Sequence, residues 1–337
     1  MISAVIVGCG NIATRYAADL TRAGVVDLVG YYDVAAERAV ALATKHGGTA
    51  FEDLDEAIEA AELVLNLTIF EAHYPVTKTA VERGRHVYSE KPLALRLSEA
   101  LEIQRLAETR EVRVAAAPFT FLGAAQATAI EWVRNGSLGE VRLVYAEVNH
   151  GRIETWHPSP APFYEVGPML DVGVYPLAIL IEAFGPVSKV RAIPSFVSPE
   201  RTDLNGQGFT IGSPDYWLVD IEHATGVKVR LTVNFYVYGD EGIVFHGDVG
   251  SLQLVSWFVP DSPLVFTPYG GEPQPVSAPK AAHEVNWSVG VVEFVSGIES
   301  GEEAALNLTD SVHMVAVLEA ITRSGQSEEL IVIEPPS

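Results

Sequence analysis

Short apolar runs and amphipathic stretches alternate along the first third of the chain. The apolar runs, often β-branched, lie at residues 4–7, 28–32, 63–67, 86–88 and 112–115. Helical periodicity follows them at residues 12–23, 35–46, 53–60, 72–83 and 98–109. Three of these stretches stop at Gly24, Gly47 and Gly84, where a glycine commonly ends a helix. The alternation predicts βαβ units and a parallel sheet covered on both faces, a doubly wound α/β domain over residues 1–121.

The pattern changes after residue 121. The elements predicted there are helix 122–134, strand 140–150, a proline- and aromatic-rich loop 151–168, helix 169–184, strands 216–223, 227–235 and 251–255, and helices 285–300 and 308–323. Apolar and polar side chains alternate strictly over residues 227–235, so one face of this strand is buried. Gly226 joins it to the preceding strand as an antiparallel hairpin. Residues 122–337 are therefore predicted to form an α+β domain with a large, mostly antiparallel sheet.

The composition is that of a globular protein with an acidic surface. Of 337 residues, 48% are hydrophobic and 20% charged, and 22 Lys and Arg stand against 44 Asp and Glu, a net charge of −22. Such a surface repels phosphate backbones and anionic headgroups, which argues against nucleic acid or membrane partners. The single cysteine, Cys9, excludes an intrachain disulfide and a cysteine-based zinc site. The fold is expected to depend on its core.

The chain also lacks sequence signals for export or metal binding. Residues 1–8 are apolar but carry neither a cationic segment nor a cleavage pattern. No apolar run reaches the roughly 20 residues that cross a bilayer. The nine histidines include no H-x-x-x-H pair. We therefore expect a cytoplasmic protein without a metal site, whose partner is a small molecule.

A glycine-rich run stands between the first strand and the first helix. Gly8-Cys9-Gly10-Asn11-Ile12-Ala13 has the G-x-G-x-x-A form of the dinucleotide fingerprint. Gly8 permits a tight turn, Gly10 lets the backbone approach a pyrophosphate, and Ala13 keeps the helix close to the sheet. Asn11 and Ile12 open the helix whose N-terminal N–H groups face the phosphates. The run predicts a dinucleotide site.

An acidic residue at the end of the second strand bears on which dinucleotide binds. Asp33 follows the fingerprint by about 20 residues, the spacing at which a carboxylate accepts the ribose hydroxyls of NAD. Its charge would repel the 2′-phosphate of NADP. The alternative is that Asp33 caps the helix that begins at Ala35. NAD is predicted, with NADP left open because Arg38 lies one helical turn further on.

The motif Glu90-Lys91-Pro92 follows the strand at residues 86–88. It therefore lies at the carboxyl end of the sheet, where open α/β folds bind ligands. Near a nicotinamide, Lys91 could donate to a substrate oxygen or lower the pKa of a neighbouring acid. The alternative is an exposed lysine at the end of a strand.

Further candidate chemistry lies after the long loop. Asp171 and Tyr175 are four residues apart, so they share one face of the predicted helix. A phenol paired with a lysine can act as a general base if its pKa falls from about 10. The alternative is a helix cap and a core aromatic residue. The loop itself supplies residues that could form an aromatic wall for a sugar ring, or simply pack in the core: Trp156, His157, Phe163 and Tyr164.

The three motifs together resemble one known family. The fingerprint Gly8–Ala13, Glu90-Lys91-Pro92 and Asp171-x-Gly173-x-Tyr175 occur in the order and spacing of the Gfo/Idh/MocA family (glucose–fructose oxidoreductase and inositol dehydrogenase). The resemblance covers essentially the whole chain. It implies an N-terminal NAD(P)-binding Rossmann domain and a C-terminal domain for substrate binding and oligomerisation.

The resemblance also implies an activity and residue roles. The activity is that of an NAD(P)-dependent dehydrogenase or reductase acting on CH–OH groups of sugars, polyols or sugar derivatives. Lys91 would lie beside the nicotinamide and the substrate hydroxyl, Asp171 would orient the substrate, and Tyr175 would be the general acid/base. The other candidate contacts, which do not rest on the resemblance alone, are Arg38, Thr68 and Glu90 with the cofactor, and Trp156, His157 and Tyr164 with the substrate.

The chain departs from the family pattern at several positions. Thr68 is followed by Ile69, where the family often has proline, and the glycine-rich stretch before the aspartate is reduced to Gly167-Pro168. The loop Trp156-His157-Pro158 belongs to no substrate group that we can name. These departures leave open which sugar or polyol is bound and which carbon reacts.

Two other functions are compatible with the same fold. An NAD-dependent glycoside hydrolase would release a leaving group without net NADH, and a non-catalytic regulator would bind NAD without turnover. The resemblance also implies a homo-oligomer, a dimer or tetramer. Its contact surface would be the exposed face of the C-terminal sheet, including the polar side of residues 227–235, although plain solvation explains that face equally well.

Overall fold

The computed structural model describes residues 1–239 and 241–335, which divide into two compact units. Unit 1 comprises residues 1–119 and 286–316, and unit 2 comprises residues 120–285 and 317–335. The observed division at residue 119 lies close to the predicted one at 121. Residues 286–316 differ from the prediction, because they belong to the first unit and not to the second domain. Among the described residues, no helix is both long and apolar enough to cross a membrane.

A parallel sheet forms the centre of unit 1. Its first eleven elements are β1 (Ile2–Val7), α1 (Asn11–Ala23), β2 (Val26–Tyr32), α2 (Ala36–His46), β3 (Thr49–Ala50), α3 (Leu54–Glu59), β4 (Leu63–Asn66), α4 (Phe70–Glu82), β5 (His86–Ser89), α5 (Leu97–Arg110) and β6 (Val114–Ala116). The strand order is β3-β2-β1-β4-β5-β6, and the pairings are parallel. The chain thus winds outward from β1 in both directions, which confirms the predicted doubly wound fold.

The core of unit 1 lies on both faces of this sheet. Every residue of β4 is buried, as expected for a strand of a parallel sheet with helices on either side. The returning segment 286–316 covers part of it: the Phe294 ring lies 6.2 Å from that of Tyr88, and the Ser311 hydroxyl accepts a hydrogen bond from the Ala116 N–H at 3.0 Å. This segment therefore completes the first core.

Unit 2 is built on a nine-stranded sheet. The elements after β6 are α6 (Ala124–Arg134), β7 (Val141–Asn149), α7 (Ala161–Val166), α8 (Pro168–Asp171), α9 (Val174–Phe184), β8 (Val187–Ser195), β9 (Glu200–Thr202), β10 (Gly208–Thr210), β11 (Tyr216–His223), β12 (Lys228–Asn234), β13 (Gly242–Gly247), β14 (Gly250–Leu254), β15 (Leu264–Pro268), β16 (Gln274–Val276), α10 (Val289–Ser300), α11 (Leu308–Ser327) and β17 (Ile331–Val332). The order is β16-β15-β14-β13-β7-β12-β11-β8-β17, with β9 and β10 as a separate hairpin. In the described part of the chain, β7 and β12 form the parallel pair of a sheet that is otherwise antiparallel. The predicted large, mostly antiparallel sheet is confirmed.

The predicted alternation of apolar and polar residues is present in β12 and gives the sheet one buried and one exposed face. Val229, Leu231 and Val233 are buried on one face, while Lys228 and Arg230 are exposed on the other. The outward face carries cross-strand ion pairs, such as Arg230 with Glu147 at 2.9 Å. Opposite charges on neighbouring strands stabilise the pairing by about 0.2–1 kcal/mol.

A buried ionic cluster joins the aromatic loop to the β9–β10 hairpin. Arg201 is buried and donates to Glu154 at 2.8 Å and to Asp215, and its Nε donates to the Ser198 carbonyl at 2.7 Å. The Tyr164 hydroxyl donates to the second oxygen of Glu154. Burial raises the pKa of Glu154, but the hydrogen bonds from Tyr164 and Arg201 outweigh it, so the pKa lies below its usual value. The cluster holds the loop with its charges paired.

Removal of the guanidinium should destabilise unit 2. Arg201→Leu leaves two buried carboxylates without their cation, and we expect the free energy of unfolding to fall by about 3–5 kcal/mol near neutral pH. The deficit should shrink toward pH 4, because the lowered pKa of Glu154 stabilises the wild type only above its unfolded value and is lost on acidification. Urea unfolding at both pH values measures this. Arg191→Leu, at an exposed position of β8, is the control, and an equal loss there would contradict the prediction.

Candidate functional site

The fingerprint loop, residues 8–10, presses against the end of β4. Gly8 has a φ of +91°, and a Cβ there would lie 2.7 Å from the Leu67 carbonyl and from the Thr68 nitrogen. Any other residue would be strained by its backbone and would collide with this backbone. The first fingerprint glycine is therefore required by the fold itself, whether or not a ligand is bound.

The second fingerprint glycine is in a different situation. Gly10 has an extended backbone that any residue adopts, and a Cβ there would meet no atom within 4 Å. It precedes α1, whose N-terminus has no side-chain cap. Ala13, at 0% exposure, brings the helix against the sheet. Open space beside uncapped helical N–H groups fits a pyrophosphate, so this loop satisfies the requirement for a dinucleotide.

Asp33 is tied to the fingerprint loop. One carboxylate oxygen accepts the Cys9 N–H at 2.7 Å, and the other accepts the Ala35 N–H at 2.8 Å. Helix α2 has Ala35 at its N-cap and no side-chain cap, so the alternative that Asp33 caps this helix is wrong, and the Cys9 contact fixes the carboxylate beside the loop. A carboxylate offers about four acceptor positions, so capacity remains for ribose hydroxyls. The exposed Arg38 guanidinium lies 4.0 Å from this carboxylate.

The turn Glu90–Pro92, here named the Lys91 turn, follows β5 directly. Lys91 is only 8% exposed, and its ammonium lies 5.5 Å from the centre of the Phe70 ring. The Glu90 carboxylate accepts the Tyr16 hydroxyl at 2.8 Å and the Lys91 backbone N–H at 3.2 Å. Because Lys91 is buried, the alternative of an exposed lysine at the end of a strand is wrong.

A histidine that the sequence reasoning missed lies beneath this turn. His73 of α4 is buried, with its Nδ1 2.7 Å from the Pro92 carbonyl oxygen and its Nε2 3.1 Å from that of Thr68. The Thr68 hydroxyl in turn donates to Asn66 at 2.6 Å. His73 and Tyr16 both lie on buried faces of amphipathic helices, where such residues usually serve packing, so the pattern alone did not distinguish them.

A proline inside α4 is a sequence signal that could have pointed to His73. Pro75 lies inside the helix and has no N–H, so one backbone hydrogen bond is lost near its start. The Asn66 side-chain amide donates to the His73 carbonyl at 2.9 Å and to the Thr77 hydroxyl at 3.0 Å. The first turns of α4 are therefore held from the end of β4.

In unit 2, the expectation of one helix over residues 169–184 is wrong. Helix α8 ends at Asp171 and α9 begins at Val174. Between them the Gly173 N–H donates to the Pro168 carbonyl, five residues back, and the Tyr175 N–H donates to the Val172 carbonyl, three back. Asp171 and Tyr175 therefore do not share a face of one continuous helix. A Cβ at Gly173 would lie 2.7 Å from the Met169 carbonyl oxygen, which explains the glycine of this motif.

Tyr175 is held in an aromatic cluster. Its ring stacks on Trp257 with centroids 5.3 Å apart and planes inclined by 19°, and it meets the edge of Phe258 at 5.4 Å. Offset stacking of this kind contributes about 0.5–1.5 kcal/mol beyond the buried area. Trp257 was not anticipated, because it lies in a loop with no periodic pattern. The cluster fixes the orientation of the phenol ring.

The aromatic loop separates into an exposed part and a buried part. Trp156 is 49% exposed and meets His157 and Phe163 edge-on at centroid distances of 5.5 Å and 6.4 Å. Tyr164 is only 1% exposed, and its hydroxyl is bonded to Glu154 and to the Ile153 N–H. This corrects the expectation for Tyr164, which packs in the core and presents no surface to a substrate. The candidate residues thus form two groups, one in each unit.

Two family models match the chain. The GFO/IDH/MocA model described as an oxidoreductase family with an NAD-binding Rossmann fold matches residues 2–117, and the GFO/IDH/MocA C-terminal domain matches residues 127–253. Among curated proteins, glucose-6-phosphate 3-dehydrogenase from Bacillus subtilis is 34% identical over 108 residues, or 32% of this chain and 31% of that protein. The dTDP-3,4-didehydro-2,6-dideoxy-alpha-D-glucose 3-reductase from Streptomyces violaceoruber is 28% identical over 213 residues, 61% of this chain and 60% of that protein.

The matches with curated relatives are partial, whereas the fold matches throughout. The matched segments span less than two thirds of the length of either relative. Among solved structures, an NAD binding oxidoreductase from Klebsiella pneumoniae superposes with a TM-score of 0.87 over 99% of both chains at 17% identity. At that identity the likeness concerns the fold.

The two fingerprint glycines should respond differently to a methyl group. Gly10→Ala should leave the free energy of unfolding within about 0.5 kcal/mol of wild type, since its Cβ meets nothing. The same methyl fills the space proposed for the pyrophosphate, so NAD affinity should fall at least about tenfold. Isothermal titration and thermal unfolding measure both. Gly8→Ala, the comparison variant, should lose more than about 1 kcal/mol of stability. Wild-type NAD affinity in Gly10→Ala would place the cofactor elsewhere.

Proposed function

Since the chain belongs to the GFO/IDH/MocA oxidoreductase family, we propose that it transfers hydride between NAD and a hydroxyl or carbonyl carbon of a sugar, polyol or sugar derivative. The observation that carries the proposal is the burial of Lys91 directly after β5, in the same unit as the fingerprint loop. The names of the curated relatives support the substrate class, because both describe reactions at a sugar carbon.

The cofactor site is proposed from residues of unit 1. The fingerprint loop and the start of α1 would hold the pyrophosphate through backbone N–H groups, using Gly8, Gly10, Asn11, Ile12 and Ala13. Asp33 would accept the ribose hydroxyls, which favours NAD, while Arg38 leaves NADP as the alternative. Thr68, Glu90 and Lys91 would contact the nicotinamide side. Bound NAD supplies the hydride acceptor.

The chemical roles are proposed for one residue of unit 1 and two of unit 2. Lys91 donates a hydrogen bond to the reacting oxygen and stabilises the negative charge that develops there. Tyr175 takes the proton from the substrate hydroxyl during oxidation and returns it during reduction. Asp171 orients the substrate. The stacking of Tyr175 on Trp257 supports this role, because a general base needs a fixed position.

Substrate recognition is proposed for the exposed part of the aromatic loop. The half-exposed face of Trp156 offers an apolar surface for the C–H face of a sugar ring, and His157, in contact with it, offers a polar edge. Tyr164 is left out because of its burial. Assays with a panel of sugars and polyols, and not these residues, identify the substrate.

Loss of the phenol hydroxyl should remove proton transfer and little else. Tyr175→Phe keeps the ring on Trp257, so we expect kcat to fall about 10²–10⁴-fold while NAD affinity stays within about threefold. Lys91→Met should lower kcat on the same order. Absorbance of reduced nicotinamide, with NAD and a panel of sugars and polyols, measures turnover. Tyr269→Phe, at an exposed tyrosine, is the matched control, and unchanged kcat in Tyr175→Phe would contradict the assignment.

The same panel separates the alternative functions. A glycoside hydrolase would release an alcohol or phenol from a glycoside without accumulating reduced nicotinamide. A regulator would bind NAD and turn over nothing. Net reduction of NAD by a sugar or polyol is the result we expect, and the absence of turnover across oxidation and reduction assays would overturn the proposed activity.

A homo-oligomer, dimer or tetramer, is proposed through the outward face of the nine-stranded sheet. Besides its ion pairs, this face carries exposed apolar side chains, including Leu143 of β7 and Ile193 of β8. Exposed apolar patches that are rimmed by polar residues mark surfaces that bind a second chain. Light scattering on the purified protein tests the assembly, with Ile193→Asp as the variant expected to weaken it. A monomeric wild type would contradict the proposal.

A cytoplasmic location is also proposed. Its support is that Cys9 is a buried free thiol, whose pKa burial and the Asp33 charge raise to about 12. A fold that uses no disulfide of this residue is typical of a reducing compartment. Cell fractionation tests the location, and recovery in a membrane or secreted fraction would contradict it.

A further inference from the structure

The Lys91 turn is fixed from two sides by buried side chains of different helices. On one side, Tyr16 of α1 bonds to Glu90, and on the other, His73 of α4 bonds to Pro92. Neither side chain was assigned a part in the proposed reaction above. The residue between the two anchored positions is Lys91.

The contact from α1 fixes the position of the Glu90 carboxylate. Tyr16 is fully buried, and its ring lies between those of Tyr88 and Trp287 at centroid distances of 6.2 Å and 5.8 Å. Its hydroxyl donates to one oxygen of Glu90 at 2.8 Å, while the other oxygen accepts the Lys91 N–H at 3.2 Å. A buried hydroxyl is costly unless it is bonded. The phenol therefore fixes the carboxylate, and the carboxylate fixes the backbone of Lys91.

The contact from α4 fixes the position of Pro92. Both ring nitrogens of His73 face carbonyl oxygens, which only accept, so each bond needs an N–H on the ring. A neutral imidazole has one N–H, and the shorter contact, 2.7 Å to Pro92, assigns it to Nδ1. Burial lowers the pKa of His73, against the opposing effects of the Pro92 carbonyl and of the Glu90 charge, and the Lys91 charge lowers it further. The neutral ring thus holds Pro92 at neutral pH.

Such anchoring matters because lysine has a long and flexible side chain. Its flexible stem carries about 2 kcal/mol of rotamer entropy. A displacement of about 1 Å at a reacting group can cost about 10²-fold in rate. Because both residues that flank Lys91 are held, the backbone from which its side chain extends is fixed in position. Both anchoring helices also begin at loops that are proposed to hold the cofactor.

We propose that Tyr16 and His73 are positioning residues for the reaction: Tyr16 acts through Glu90 and His73 acts through Pro92 to place the Lys91 ammonium at the reacting oxygen. This inference rests on the proposed function. It predicts that loss of either anchor lowers turnover without weakening the cofactor site.

Three variants test the anchors. Tyr16→Phe removes one hydroxyl and keeps the packed ring, His73→Leu removes both ring contacts, and His73→Asn keeps an amide donor near the position of Nδ1. We expect Tyr16→Phe and His73→Leu to lower kcat about 10–100-fold, with NAD affinity and KM within about threefold. His73→Asn should recover most of the rate.

The matched control removes an equivalent bond elsewhere in unit 1. The Tyr74 hydroxyl, also on α4, donates to Glu102 at 2.6 Å, so Tyr74→Phe loses the same kind of hydrogen bond outside the Lys91 turn. Its kcat should equal that of wild type. If Tyr74→Phe falls as far as Tyr16→Phe, the effect is a general loss of stability and the inference is overturned.

Dependence on Lys91 distinguishes positioning from a structural role. In a Lys91→Met background, Tyr16→Phe should cause no further loss of kcat, because residues that act through one group are not additive. If Tyr16→Phe lowers kcat 10-fold or more in the Lys91→Met background, as it is expected to do when Lys91 is present, the inference is overturned. If the wild-type protein turns over no sugar or polyol, the proposed function fails and this inference with it. If wild type is active and Tyr16→Phe and His73→Leu match it, only the inference fails.

A direct observation of His73 complements the kinetics. Nitrogen-15 spectra of the histidines should show a protected N–H at Nδ1 of His73 near neutral pH, identified by its absence in His73→Asn. A proton on Nε2, or rapid exchange of the Nδ1 proton with water, would overturn the Pro92 anchor. This readout is independent of activity and also applies to a variant that folds but has lost turnover.

Discussion

The close approach of the fingerprint loop to the end of β4 is the constraint on which the site in unit 1 depends. Gly8 touches the Leu67–Thr68 backbone, and its own N–H donates to the Tyr32 carbonyl at 2.8 Å. The ends of β1, β2 and β4 are thereby fixed to one another. Asp33 follows Tyr32 and bonds back to Cys9, and Thr68 contacts His73, which holds the Lys91 turn. A succession of short contacts thus connects the predicted cofactor loop with the buried lysine.

Unit 2 fixes its candidate residues by other means. A glycine forced by the Met169 carbonyl interrupts a helix between Asp171 and Tyr175, and aromatic stacking then orients the phenol. The aromatic loop is anchored through Glu154 to the buried guanidinium of Arg201. Hydrogen bonds from side chains to the backbone position the site residues of the first unit, whereas aromatic stacking and a buried ion cluster position the candidate residues of the second.

Periodicity in the sequence was enough to predict the fold classes, because buried parallel strands and half-buried antiparallel strands leave different patterns. It could not show that residues 286–316 return to the first unit, since an apolar helix does not reveal which core it enters. The break at Gly173 was hidden because a glycine in αR conformation is compatible with a helix, and only the neighbouring carbonyl excludes a Cβ. Tyr16, His73 and Tyr164 illustrate the same limit: whether a buried polar aromatic residue packs, anchors or binds depends on which groups the fold places beside it.

The return of residues 286–316 to unit 1 has a consequence for synthesis of the chain. Ala116 lacks its partner Ser311 until 195 further residues have been translated, and Tyr88 lacks Phe294 over a similar interval. At about 5–20 residues per second, that interval is roughly 10–40 seconds. During this time the first 119 residues carry an uncovered apolar surface, while residues 120–285, the larger part of the second sheet, are already complete. Unit 2 in turn waits for residues 317–335, so both cores close only after α10 and α11 have been translated.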